Sequence, residues 1–453
     1  MRMINFKPNS TYQKYINLIS IPFFVYIVLV TVFGRTFNGL FVGEFRLGEL
    51  IIGFGIILSL TCVLTLNKEY IEKNFLILFL GMLLSFLLSA LLSDSNLIST
   101  YTYKSSSTIW TISFIFLGGL VFKSKFTNTF IKYLFIFSPL TYIFTTVFFP
   151  NPLWNFFKVY SDKFDYLKSS DILLTYVLLN FLTKRNTQSQ KTSLTFFLLS
   201  SALMAPLLSF MSRGAFLAFL IYFFIELFTI RRAIVKNKLK FFIIFMLSLL
   251  LFSLSTIIIT TEIDFEFLNF GKKIELTEDD NVLASGRAEV VARQLPIVFV
   301  EREFFGTTLS VFYQDGRFYS TEVTANWRLQ LWQDVIEDVV SKNRLFYGYG
   351  YSEIIPAMTD PLNNGNDSTN ENLHNYFVQV FARGGLIQLL ITILIIFTYI
   401  KIWVIKKNNF KILQFVIPIM VVSVFDPTLE TVRFPLIYYS FLGYFLTDEK
   451  IYT

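Results

Sequence analysis

His374 is the single histidine of the chain, set in Glu371-Asn372-Leu373-His374-Asn375-Tyr376. An Asn cap ahead of an apolar run predicts a helix start, with His374 in its first turn. The positive end of a helix disfavours imidazolium. That leaves a neutral imidazole able to take up a proton near pH 7. The plain alternative is a cap-region histidine with no role. Arg328 lies in a capped amphipathic segment, Asn326 to Val340. At helical spacing it shares a face with Leu331, Trp332, Val335 and Val339, and Glu337 lies opposite. A solvated arginine belongs beside Glu337, so Arg328 either pairs in a core or looks into a site. Ser212-Arg213-Gly214 interrupts an otherwise apolar stretch, which puts Arg213 at a lipid boundary. A charge at that depth faces a partner or a cavity, or else snorkels to headgroups.

Weaker candidates surround these three. Gly348-Tyr349-Gly350 follows the amphipathic segment, and its glycines permit close backbone approach. Asn375 adjoins the histidine. Arg433 ends a short turn that opens with Asp426-Pro427, and Arg287 stands in Ser285-Gly286-Arg287. No run of His, Cys, Asp or Glu is spaced to hold a metal, and no phosphate-binding loop, serine elbow or dinucleotide fingerprint occurs. Neither metal nor cofactor is expected. Arginine's planar fork suits phosphate oxygens and keeps its charge. Fixed cations at a lipid boundary suit an anionic lipid diphosphate, whose departure needs its growing charge stabilised. A base that deprotonates an incoming hydroxyl completes a displacement at a sugar's anomeric carbon.

The elements that must position these residues are membrane helices. Apolar residues make up 54% of the 453 positions, charged ones only 16%, and mean hydropathy is +0.57. A soluble domain carries roughly 25% charge. A bilayer core takes about 20 apolar residues per helix. Twelve spans are expected, at about 18–34, 47–66, 75–93, 108–122, 132–149, 169–183, 193–211, 214–230, 241–260, 385–405, 410–426 and 433–447. The first is read as a retained helix, because no small-residue cleavage site follows it. With the N-terminus inside, inner segments hold 21 lysines and arginines and short outer loops hold 8. The positive-inside rule therefore predicts both termini in the cytoplasm. Basic residues facing anionic lipids explain the net charge of +7 without nucleic acid.

The expected fold is an all-α integral membrane protein in three parts. These are a nine-helix bundle (1–260), a periplasmic loop with its own helices (261–384), and three closing helices (385–453). A loop of that length without a function is unusual.

Three motifs in chain order then carry a resemblance. Ser212-Arg213-Gly214 after a span, Arg328-Leu329-Gln330-Leu331-Trp332 running into Gly348-Tyr349-Gly350, and His374-Asn375 followed by Gly384-Gly385-Leu386 together resemble the O-antigen ligase/polymerase superfamily. The resemblance covers roughly 190–445; the N-terminal spans match it only in number. It implies a bacterial inner-membrane glycosyltransferase that works without metal. The donor would be a glycan on undecaprenyl diphosphate, the acceptor lipid A–core or a second lipid-linked glycan. Arg213 and Arg328 would then bind the diphosphate and His374 would activate the acceptor. An extra segment carrying Arg287 departs from the commoner loop pattern. The ligase reading is preferred to the polymerase.

Two further readings compete. A flippase for lipid-linked sugars needs ionisable groups at mid-span, whereas the charges here gather outside. In a cell-wall polymerase of the shape-and-division type, a loop carboxylate such as Asp367 or Glu371 would serve as the base.

Overall fold

The computed structural model describes residues 10–65, 73–161, 167–186, 190–236, 238–260, 271–272, 311–321, 323–359 and 371–447. The chain is a mostly helical, multi-pass membrane protein. Its helices are α1 (Ser10–Asn38), α2 (Leu47–Thr65), α3 (Lys73–Leu92), α4 (Thr100–Ser105), α5 (Ser107–Trp110) and α6 (Phe114–Val121). Then follow α7 (Thr127–Phe137), α8 (Pro139–Thr146), α9 (Asn151–Tyr160), α10 (Ser169–Asn186), α11 (Gln190–Met211), α12 (Arg213–Lys236) and α13 (Lys238–Thr260). The last four are α14 (Val323–Ser341), α15 (Tyr376–Lys407), α16 (Leu413–Phe425) and α17 (Arg433–Thr447). Sheet among the described residues is limited to two-stranded pairs, of which the hairpin Val311–Gln314/Arg317–Ser320 is the longest.

Among the described residues, six helices are long and apolar enough to cross a membrane: α1, α3, α11, α12, α13 and α15. Three shorter apolar helices lie at Leu47–Thr61, Ser107–Val121 and Leu413–Phe425. The remaining expected spans have physical reasons to differ. The stretch expected at 132–149 is divided into α7 and α8 at Ser138-Pro139, since proline cannot donate into the helix before it. Helices α10 and α17 carry charge but sit inside the bundle. Every residue of α17 from Arg433 to Phe445 is buried, and its Arg433 Nε donates to Asp171 Oδ2 of α10 at 2.8 Å. At the other extreme, α13 leaves Leu239, Phe242, Ile243 and Leu250 more than half exposed. Such a face is stable against lipid and not against water.

The tenth expected span also begins earlier than 385. Helix α15 starts at Tyr376 and runs through a break at Gly385, whose φ is +67°. A Cβ there would lie 2.2 Å from the carbonyl carbon of Phe346, so only glycine lets the two backbones meet.

Hydrogen bonds gather the connections into two ends. At one end Ser105 donates to Tyr351 O (2.6 Å), Leu40 bridges Ser161, and Ser169 Oγ donates to Asp426 Oδ2 (3.4 Å). At the other, Ser20 donates to Ser124 (2.8 Å), and Lys184 binds both the buried Glu226 carboxylate and Gln414 (2.9 Å to the latter). The segment before α15 has a small core of its own, built from Leu331, Val335, Val339, Ile355, Met358 and Leu373 against Phe381 and Ala382.

Candidate functional site

Helix α14 buries the face expected of it, with Leu331, Val335 and Val339 all inaccessible to solvent. Trp332 on the same face donates its Nε1–H to the carbonyl of Leu373 at 2.7 Å. Trp327 stands edge-on to the His374 ring, with centroids 5.6 Å apart. These two tryptophans bind α14 to the lead-in of α15. Arg328, half-buried between them in sequence, acts electrostatically on both His374 and Asp426.

His374 is not in the first turn of its helix. Asn375 is the cap, its side chain accepting from the N–H groups of Phe377 (3.0 Å) and Val378 (3.2 Å). An Asn in extended backbone can satisfy two orphan donors in this way, so the helix begins after it. His374 precedes the cap in a left-handed conformation, φ +52°. Its Nδ1 is closed off from solvent and makes no hydrogen bond among the described residues. The imidazole is neutral, but for a different reason from the expected helix end. Burial, then Arg328, then Lys168 push its pKa down to about 3.

The turn between α16 and α17 faces this histidine's partners. Asp426 Oδ2 accepts from Ser169 Oγ and from Ser212 Oγ, each at 3.4 Å. Burial raises the Asp426 pKa, against the pull of Arg328, Lys168 and the two serines. Glu430 Oε2 accepts from the N–H of Thr428 at 2.8 Å, while Oε1 is buried with no hydrogen-bond partner among the described residues. Its pKa is raised to about 8, chiefly by burial, with the neighbouring Asp426 contributing. Ser169 opens α10, and Ser212 caps α12 by accepting from Ala215 N–H (3.3 Å). With α15 starting beside His374, three helices direct their N-terminal ends to one place. Those ends carry partial positive charge, which adds to Arg328 and Lys168.

The other expected residues are distributed around this cluster. Arg213 is exposed, one residue beyond Ser212, and Gly214 packs so closely on Phe425 that a Cβ would lie 2.4 Å from that ring's Cβ. Arg433 is buried in its ion pair with Asp171. Gly348 (φ +68°) and Gly350 (φ +78°) bracket a backbone weld: Tyr349 N–H donates to Ala382 O (2.7 Å) and Gly350 N–H to Arg383 O (3.0 Å). The two glycines thus hold the loop against the first turns of α15. Arg287 and Asp367 lie outside the described residues. Glu371 is ion-paired with Lys104 at 3.2 Å. Among the described residues no group of three His, Cys, Asp or Glu side chains is placed to share a metal ion.

Sequence reasoning missed Lys168, Asp426 and Glu430 as one cluster. Lys168 was only one of the eight lysines and arginines counted in the short outer loops, and Asp426 only the start of a turn. It also missed Arg383, buried at 3% exposure, which donates to the carbonyls of Gly350 and Glu353 and to Tyr101 Oη. A charged residue two positions before a breaking Gly385 was the available signal.

Against this geometry, a family described as O-antigen ligase matches residues 194–393. No curated protein matches the chain. The matched stretch, somewhat under half of the chain, holds Arg213, Arg328 and His374, and over that stretch the chain is similar to O-antigen ligases.

Proposed function

We propose that this chain, similar over 194–393 to O-antigen ligases, is an enzyme of that superfamily and transfers a glycan from undecaprenyl diphosphate to a hydroxyl of lipid A–core, without a metal ion, at the periplasmic face of the bacterial inner membrane. Both termini are then cytoplasmic, twelve spans cross the bilayer, 261–384 is the periplasmic loop, and 385–453 completes the membrane bundle begun by 1–260. The reading is carried by one observation. Arg328 and Lys168 both act on His374, the only histidine, at the end of the bundle where three helix N-termini converge.

The chemistry follows from those groups. The acceptor oxygen attacks the anomeric carbon, and the bond from that carbon to the phosphate oxygen breaks. The electron pair leaves with the diphosphate, whose charge falls on Arg328 and Lys168, with exposed Arg213 at the margin. The acceptor's proton passes to His374. In the free protein burial and the two cations make this imidazole a weak base. A diphosphate lying across the same cations offsets their charge and raises the basicity of His374. Donor binding thereby prepares the base for the acceptor.

The test is a purified reaction with lipid-linked glycan, with and without lipid A–core. Glycan transferred to lipid A–core supports the ligase reading. Longer glycan left on undecaprenyl diphosphate makes the chain a repeat-unit polymerase, and donor movement across vesicles without transfer makes it a transporter.

A further inference from the structure

We propose that Glu430 is a diphosphate-binding residue, a neutral carboxylic acid whose Oε1–H donates to a phosphate oxygen of the lipid-linked donor. The inference rests on the reading of this cluster as a diphosphate site and adds a residue to it. Glu430 lies in the turn between α16 and α17. One of its oxygens is held by the Thr428 N–H, and its carbonyl accepts from Ser107 Oγ at 3.1 Å. The second oxygen, Oε1, is closed to solvent and has no hydrogen-bond partner among the described residues. A buried polar atom left in that state costs about 1–3 kcal/mol, so an occupant that satisfies it is favoured.

The surrounding charges say which occupant. The groups acting on Glu430 are Asp426 in its own turn and Lys168 ahead of α10, and Glu430 in turn acts on Tyr376 at the start of α15. Lys168 also acts on His374 and Asp426, which ties Glu430 to the cation cluster. An ionised Glu430 beside Asp426 would put two carboxylates against an anionic ligand. A neutral one repels nothing and offers a donor. Burial supplies that neutral form by raising the carboxyl pKa to about 8. The last ionisation of a phosphate monoester, near pH 6, lies below that window.

The experiment measures binding of undecaprenyl diphosphate to the purified full-length chain between pH 6 and about 9.5. The wild-type protein is expected to lose affinity as pH rises through about 8. Glu430→Gln, which cannot ionise, should abolish this slope whatever its absolute affinity. Glu430→Ala should bind on the order of ten-fold more weakly at pH 7. A Gln variant with the wild-type slope, or an Ala variant with wild-type affinity, overturns the proposal. Infrared difference spectra of the wild-type protein keep the test open if the variants misfold. A protonated-carboxyl band that shifts when diphosphate binds and disappears above pH 8 supports it, and no such band overturns it. Arg328→Gln separates the two claims. If it binds diphosphate normally, the site reading fails; if it alone loses binding, only the role of Glu430 fails.

Discussion

Trp332 and Leu373 are joined by a single hydrogen bond, from the indole Nε1–H to the main-chain carbonyl at 2.7 Å. The bond ties the middle of α14 to the residue before His374. Arg328, one turn back along α14, is thereby brought to act on an imidazole 46 positions away in sequence. Trp332→Phe keeps the ring and removes the donor. It should cut transfer while leaving the membrane bundle intact, because the misplaced groups are Arg328 and His374. Wild-type turnover by this variant would mean that the bond does not position them.

Arg328→Lys should lose most transfer activity while the protein still inserts, since an ammonium cannot reproduce the guanidinium fork. Losing a contact made mainly in the transition state costs about 3 kcal/mol, or roughly 100-fold. The expectation extends to Arg213→Lys, whose exposed position makes it the more demanding case. Near-normal transfer by both would favour a snorkelling Arg213 and a structural Arg328. Transfer should also survive EDTA; restoration of an EDTA-treated enzyme by Mg²⁺ would contradict the metal-free mechanism.

The acid limb of the pH profile follows from the sign of the His374 shift. Burial, Arg328 and Lys168 lower its pKa from 6.5 to about 3, so the free enzyme keeps a neutral imidazole down to that region. In kcat/KM, which reports the free enzyme, the limb should therefore lie far below 6.5. In kcat, which reports the donor complex, it should lie higher, because the diphosphate offsets the two cations. Lys168→Gln removes one of them and should move the kcat/KM limb upward. A limb in the same place for both parameters, unmoved by Lys168→Gln, would remove either His374 or Lys168 from the mechanism.

Sequence reading reached parts of this site for identifiable reasons. Arg328 was legible because a cation in the middle of an apolar helical face needs an explanation, and His374 because it has no competitor. Helices such as α3, α11 and α13 were legible as long apolar runs. The cluster of Lys168, Asp426 and Glu430 was not, since it forms only when α10, α12 and the turn after α16 pack together. Local pattern also misplaced the start of α15: Asn372 and Asn375 both qualify as caps, and only the backbone decides between them. The weld at Gly348 and Gly350 read as possible site lining, because a glycine needed for packing looks the same in sequence as one needed by a ligand.

Gly385→Ala tests the neighbouring backbone contact, between the break in α15 and Phe346. The substitution asks alanine to adopt φ +67° with its Cβ 2.2 Å from the Phe346 carbonyl carbon. It should destabilise the protein by more than about 1 kcal/mol and lower its melting temperature in detergent. An unchanged melting temperature would mean that the break in α15 is not enforced by this contact.

Attaching a reporter active only in the cytoplasm near residue 320, in the hairpin ahead of α14, tests sidedness. The reporter should be silent. Strong activity would reverse the orientation and put the cluster at the wrong face for a periplasmic acceptor.

The central claim is that His374 takes the proton from the acceptor while the cations hold the donor. The most direct measurement is to purify His374→Ala beside the wild type and measure donor binding and glycan transfer separately. General-base catalysis is worth about 10²–10⁴-fold. The account predicts a transfer rate lowered by that factor, with binding of the undecaprenyl-diphosphate donor largely intact. A His374→Ala protein that transfers glycan at a third of the wild-type rate or better would contradict it.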